Sequence, residues 1–453
     1  MKGKISFLVT SRMLLAGWTL GATATSLAAA TFKVNTQLDS HNTGGNCAKG
    51  SGSCSLRSAI EENNARPVFP TQIIIIPRGV YKLTLEDQLE IKNNVIIRGA
   101  GPDVTVIDGN NTSRVLMISP RSTATPGSPS IINISGITIQ HGNSGIENGS
   151  GIYVKPTTAV SLDNSRVVDN INSVGGVGIM NNGVLDISRS TVRGNRSTGR
   201  GGGVTGAGGG IYSGRVSGQT TEPYLTITDS TISNNTAVRG GGIYIGSGTV
   251  DIINSTISGN IASIGGGIEN FDVLNISFST ITNNVAGRVT AEPKERYSGG
   301  GIRNFGEFGG QVNIGNSILA GNSDGRLPSD PLFSPDCFSD QPFTFTSFRG
   351  NILGINTNCN MSDTIFDGTP FDQVGTKSDP LNPGLNGLSY YGGPTMTHAL
   401  LSGSPAIDHG TGVTSATFFD CPTTDQRGGG RGGARGTGKA CDVGAFEYAF
   451  WGR

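Results

Sequence analysis

The chain has no surplus of either charge: 33 Lys and Arg balance 33 Asp and Glu, and charged residues make up only 15% of its 453 positions. A polyanionic partner requires a basic field, so nucleic acid is not an expected ligand. Large aromatics are scarce, with 2 tryptophans and 9 tyrosines, which argues against a thick globular core. The four histidines, His41, His141, His398 and His409, are scattered, and no two cysteines form a C-x₂-C pair, so zinc-ligand spacing is missing. The glycine clusters also lack the G-G-x-G-x-D run of calcium-binding nonapeptides. No metal and no cofactor is expected.

Long apolar runs are missing too. The stretch 13–20 is interrupted by Gly17 and then by Gly21, Thr23, Thr25 and Ser26 before the roughly 20 apolar residues of a membrane span accumulate. Lys2, Lys4 and Arg12 precede it and Ala28-Ala29-Ala30 follow, the order of a cleavable secretory signal over residues 1–30. The mature chain is therefore expected to be secreted or at the cell surface, monomeric and without a span. Six cysteines form an even set, which in an exported chain implies disulfides. Fifteen connectivities are formally open. Local pairing, Cys47 with Cys54, Cys337 with Cys359 and Cys421 with Cys441, is the expectation because it ties the ends without crossing the middle.

What is abundant is glycine, at 71 residues, and a repeat. Six segments align without a gap: VSLDNSRVVDN from Val160, LDISRSTVRGN from Leu185, LTITDSTISNN from Leu225, VDIINSTISGN from Val250, LNISFSTITNN from Leu274 and VNIGNSILAGN from Val312. Period-2 alternation puts the columns Leu162, Ile187, Ile227, Ile252, Ile276, Ile314 and Val167, Val192, Ile232, Ile257, Ile281, Leu319 inward. Ser165, Ser190, Ser230, Ser255, Ser279 and Ser317 share that parity and read as a narrow corner rather than as nucleophiles. Asn170, Asn195, Asn235, Asn260, Asn284 and Asn322 close each row, where asparagine suits a left-handed turn and stacked amides can bond along the axis. A third strand opens with Gly-Ile at 151, 178, 210, 242, 267 and 301. The serines recur 25, 40, 25, 24 and 38 residues apart, so the coil is about 25 residues with loops inserted near 196–208, 213–223 and 287–298. This is the pattern of a right-handed parallel β-helix over residues 71–322. Residues 31–70 form its cap, with Leu56, Ala59, Ile60 and Asn63 on one face of a short helix that Pro67 stops. Residues 323–453 form an irregular module.

Cys54-Ser55-Leu56-Arg57-Ser58-Ala59-Ile60 resembles the signature of CSLREA-domain proteins, with serine at 58 where that name has glutamate. Gly350-Asn351-Ile352-Leu353-Gly354, Asp379-Pro380-Leu381, the run from Gly392 to Leu400, Gly403 to Asp408, Asp425-Gln426-Arg427-Gly428 and Cys441 to Glu447 resemble the choice-of-anchor Q domain. The resemblance implies an exported right-handed parallel β-helix of the pectin-lyase-like kind, and it brings no catalytic set.

The candidate chemistry is sparse. No adjacent pair of aspartates and no GHG element occurs; His141-Gly142 is a fragment. Asp186 and Asp251 share an outward column two coils apart, about 10 Å at roughly 4.8 Å per coil, near the upper spacing of inverting glycosidases. Polar choice on a solvated strand explains them equally well. Arg189 and Asp229 are expected to form a surface ion pair. Arg193, Arg196, Arg200 and Arg215 lie in or beside inserted loops, where planar guanidinium groups suit carboxylate or sulfate, though solvated loops are often basic. His398, Asp408, His409, Asp425, Arg427, Asp442 and Glu447 read as a polar network closing the end of the solenoid. The expected function is non-catalytic binding of a glycan, an acidic one favoured, or of another surface. The alternative is a polysaccharide lyase or glycoside hydrolase working on the loop-bearing face.

Overall fold

A computed structural model describes residues 29–41, 44–50, 52–121, 129–199, 206–287, 299–331, 333–341, 344–359, 361–363, 372–410, 417–419, 421–428 and 441–448. The signal expected over 1–30 therefore lies almost wholly outside the described residues, as does Arg200.

Successive coils contribute to three parallel sheets, the first of twelve strands, the second of eleven and the third of nine. Register is set by side-chain parity. Val160, Leu185, Leu225, Val250, Leu274 and Val312 lie side by side, as do Leu162, Ile187, Ile227, Ile252, Ile276 and Ile314, and each of the latter is 0% exposed. A slip of one residue would turn every one of them outward, and each aliphatic side chain kept inside contributes about 1.5–3 kcal/mol. The Gly-Ile column enters the third sheet where backbones almost touch: a Cβ on Gly178 would lie 2.5 Å from the Gly210 carbonyl oxygen.

Two ladders hold the corners. At the first, each serine amide donates to the hydroxyl of the next serine along the axis, from Ser165 to Ser317. At the second, each asparagine donates both its backbone N–H and its Nδ2 to the Oδ1 of the next, at 2.8–3.1 Å, from Asn170 to Asn322. The left-handed bend expected at these asparagines falls one residue earlier, at Asp169, Gly194, Asn234, Gly259, Asn283 and Gly321, with φ of 54–73°. Bending there frees the asparagine itself to turn its amide into the coil. The ladder ends on Asp336, whose Oδ1 accepts from Asn322 and whose Oδ2 accepts from the Ile355 amide. An aspartate suits the last rung because it has no Nδ2 left without an acceptor, though burial pushes its pKa up to about 6.

The stack runs beyond 71–322 in both directions. Thr31–Lys33 pairs with Ile73–Ile75 at the start, while Met361–Asp363 and Gln373–Val374 extend the first and second sheets at the other end. The capping helix spans Leu56–Asn64, with the Ser55 hydroxyl accepting from the Ser58 amide. Arg57, buried against Asp39, locks it to the Asp87 and Gln88 carbonyls. All three locally paired disulfides are present.

The carboxyl-terminal module departs from its expected place. Instead of closing the end of the solenoid, it folds back along the outer face of the second sheet. Ile318, Ala320 and Ile352 point outward there and form a second core with Ala399, Leu400, Ala406, Val443 and Phe446. Those outward apolar residues require a cover, and the hydroxyls beside them supply its bonds: Thr231 to the Met396 carbonyl, Thr256 to Thr397 and Gln426, and Thr280 from the Ala445 amide.

Candidate functional site

The outer face of the first sheet carries the expected polar column, Ser161, Asp186, Thr226, Asp251, Asn275 and Asn313, on neighbouring strands. Alternation forces it: each of these residues is flanked in its strand by inward-facing aliphatics. Asn313 Nδ2 donates to Asn275 Oδ1 at 2.8 Å, and Asn275 Nδ2 donates to Asp251 Oδ1 at 2.7 Å. The Tyr224 hydroxyl donates to Asp251 Oδ2, so both oxygens of Asp251 are engaged. Asp186 stands on the far side of the Thr226 strand. Asp186 is exposed, and partial loss of hydration among its neighbours pushes its pKa up, with the Asp163 carboxylate adding to the shift. Burial likewise raises the Tyr224 phenol, followed by its bond to Asp251, with Asp186 adding like charge.

The arginines are not gathered into one site. Arg189 binds Asp163 on the preceding coil, Nε to Oδ1 at 2.9 Å and Nη2 to Oδ2 at 2.6 Å, rather than Asp229 on the following one. Asp229 Oδ1 is occupied by Asn254 Nδ2 at 2.5 Å, which corrects the expected pairing. Arg193 ends the second-sheet strand Thr191–Arg193 and Arg196 opens the strand Arg196–Ser197 just past the asparagine ladder; both are exposed. Arg215 follows the third-sheet strand Ile211–Ser213 at a different corner and pairs with Glu222 at 3.1 Å.

The carboxyl-terminal titratable residues do form a network, but one that fastens the module to the second sheet. His398, 2% exposed, bonds Ser258 Oγ through Nε2 at 2.9 Å and the Asn386 carbonyl through Nδ1 at 2.7 Å. Burial pushes its pKa down. Arg427 pairs with buried Asp425, and Asp442 accepts from the Asp408 and Tyr448 amides. His409 bonds the Ile407 carbonyl. Among the described residues no three His, Cys, Asp or Glu side chains group as metal ligands, and no helix is long and apolar enough to cross a membrane.

Sequence reasoning missed Tyr224, whose signal was its place at the head of an outward-parity strand. It also missed the pairing of His141 Nδ1 with Asp108 Oδ2 at 2.9 Å between adjacent coils. The recurrent Gly-Ile-Tyr of the third sheet puts Tyr212 and Tyr244 in an outward stack with centroids 5.0 Å apart. Both are about 5% exposed and packed with Met180 and Ala207, so they form a satellite core and not a platform.

No protein-family model matches the chain, and no curated protein matches it. Among the solved structures similar in chain path are two lyases. One is pectate lyase Pel9A, at 13% identity and a TM-score of 0.46, covering 92% of this chain and 96% of that one. The other is the PL6 family alginate lyase AlyGC, at 13% identity and a TM-score of 0.29, covering 82% of this chain and 55% of that one. Neither likeness carries the functional argument, which rests on the side chains.

Proposed function

We propose that the protein is exported and binds a hydroxyl-rich polysaccharide, without cleaving it, along the part of the outer face of its first sheet that the described residues leave open. The observation that carries this reading is the fixed polar strip of Asn313, Asn275, Asp251 and Tyr224, cross-bonded along the axis. Side chains already held in one arrangement lose little freedom when a ligand arrives. They repeat at about one strand spacing, so a polymer with hydroxyls at regular intervals can engage several at once. Tyr224, 39% exposed, adds a ring for the C–H surface of a sugar. With Asp163, Asp186 and Asp251 on this face and Arg189 committed to Asp163, a neutral chain fits better than the acidic one expected from the arginines. The order of residues 1–30 supports export, and the likeness of the ends to CSLREA and choice-of-anchor Q sequences supports a surface role.

Asp186 favours a second reading. A carboxyl with a raised pKa can hold a proton as a general acid, which a lyase or hydrolase would use. Asp251 is a poor partner base because both its oxygens already accept bonds. The test incubates the mature protein with pectin, alginate, and sulfated and neutral glycans, following retention, reducing ends and unsaturated products. Retention by a neutral polysaccharide without turnover, little affected by salt and weakened about tenfold by Tyr224→Ala, is the expected result. Turnover that vanishes in Asp186→Asn would replace the binding reading with the enzymatic one.

A further inference from the structure

A cleft of about 410 Å³ opens at the corner between the second and third sheets, in the coils that precede the asparagine ladder. Its walls come from three successive turns and include Asp87, Thr112, Ser113, Arg114, Asn143 and Glu147. We propose that this cleft is a second saccharide site, taking one neutral pyranose unit as a chain end or side branch. The ligand class rests on the polysaccharide reading above; the site is separate from the strip, since it lies at the corner where the first sheet takes no part.

Four observations converge on that ligand. The volume lies within the ordinary range for small-ligand sites, roughly 300–1,000 Å³. Ser113 lines the cleft, is 8% exposed, and its hydroxyl has no hydrogen-bond partner. The Oγ is itself covered, so the side chain must turn toward the cleft to meet a ligand, and the bond it then gains favours the bound state. Arg114, 4% exposed, has every N–H engaged: Nε donates to the Asn148 and Gly149 carbonyls, Nη2 to Asn148 O and to Glu147 Oε2 at 2.9 Å, and Nη1 to Gln88 Oε1 and, at 3.8 Å, to the Met117 thioether. It stiffens the walls and has no donor left for an anion. Asp87, whose Oδ1 accepts from the adjacent Gln88 amide at 2.8 Å, adds an acceptor that repels anions and suits vicinal hydroxyls. A divalent cation fits worse, because it wants six or more oxygens and Glu147 is already shared with a guanidinium.

The experiment titrates the full mature chain by calorimetry with methyl glycosides of neutral hexoses, with neutral oligosaccharides, with galacturonate and with calcium alone. Three variants run in parallel: Ser113→Ala, Thr112→Trp and Tyr224→Ala. Thr112 is exposed, so its replacement fills the cleft without entering the core. The expected result is binding of a neutral methyl glycoside that weakens five- to tenfold in Ser113→Ala, disappears in Thr112→Trp and is unchanged in Tyr224→Ala. Saccharide binding that survives Thr112→Trp and is lost in Tyr224→Ala overturns the cleft and leaves the strip standing. Oligosaccharide binding that neither Thr112→Trp nor Tyr224→Ala weakens overturns both sites. Calcium or galacturonate binding that Thr112→Trp abolishes, with no response to neutral sugars, overturns the ligand class, and no binding of any probe overturns both readings.

Discussion

The outer faces of the first and second sheets look alike in sequence, each a column of short polar residues on the outward parity, yet among the described residues the first is bare along the Asp186 to Asn313 column and covered only near Gly315, by Phe348 and Phe419, while the second is covered. On the second sheet the column is Thr231, Thr256 and Thr280, and the carboxyl-terminal module lies on it; on the first it is Asp186, Thr226, Asp251 and Asn275. The difference follows from what each side chain needs once water is removed. A threonine hydroxyl is satisfied by one or two partners, which Met396, Thr397, Gln426 and Ala445 supply. A carboxylate loses far more hydration and would need several donors. Apolar outward residues decide the rest: Ile318 and Ile352 continue the second-sheet face into the second core, whereas Asn313 continues the first-sheet face as polar surface.

The largest expected effect sets either face against the interior. Asp251 and Ile252 are neighbours in one strand, the first outward and partly exposed, the second 0% exposed among aliphatics. Ile252→Asp should cost about 4 kcal/mol or more, because the carboxylate would have no partner inside. Asp251→Ala, which loses the bonds from Tyr224 and Asn275, should cost about 1 kcal/mol. Thermal unfolding of the two variants measures the contrast, and equal losses would show that parity does not divide inside from outside here.

A second pair of variants compares the faces directly. Thr226→Lys sets an ammonium between Asp186 and Asp251 on the bare face and should change stability by no more than about 0.5 kcal/mol in either direction. Thr256→Lys buries the same group against Thr397 and Gln426 and should cost about 3 kcal/mol. Hydrogen exchange should show the loss concentrated at Thr397–Leu400 and at the second-sheet strands beneath. Matching behaviour of the two lysines would mean the module does not seal its face.

Much of this was legible in advance because the repeat reports parity. The inward columns, the serine corner and the capping helix follow from period 2, from helical spacing and from a polar break at fixed offsets, while the local disulfides were only the simplest of fifteen connectivities. Parity cannot say what covers an outward face. Thr256 and Thr226 are equivalent by that measure, and the clue that the second sheet is covered sits in later coils, at Ile318 and Ile352. Nor can it place left-handed bends, since the turn sequences Asp169-Asn170 and Asn234-Asn235 offer two residues that tolerate them. The strip was half visible: Asp186 and Asp251 stood in register, but the bond from Tyr224 depends on a neighbouring column. The cleft was invisible because residues 87–88, 112–114 and 143–147 belong to coils without the repeat.

The smallest effect separates the two faces by acidity. On the covered face, His398 Nδ1 faces a carbonyl, which can only accept, so Nδ1 carries the proton and Nε2 accepts from the Ser258 hydroxyl. A second proton would place a cation inside a joint that is almost dry, and burial accordingly holds the pKa below its ordinary value. The unfolded chain takes up that proton near pH 6.5, while the folded joint resists it to lower pH. The unfolded state therefore binds more protons through this window, and stability rises with pH. The contribution of His398 is fully present above about pH 6.5 and is lost as the pH falls towards the folded value. On the bare face Asp186 has the opposite sense: its pKa is raised, so its contribution weakens as pH rises through the carboxylate range. Hydrogen exchange at Thr397–Leu400, compared between neutral and weakly acidic buffer, should show faster opening in acid for the parent chain and a flatter response in His398→Gln, with first-sheet strands such as Thr249–Ile253 serving as the internal reference. If the glutamine variant opens as steeply in acid as the parent, His398 is not the group that couples the joint to pH.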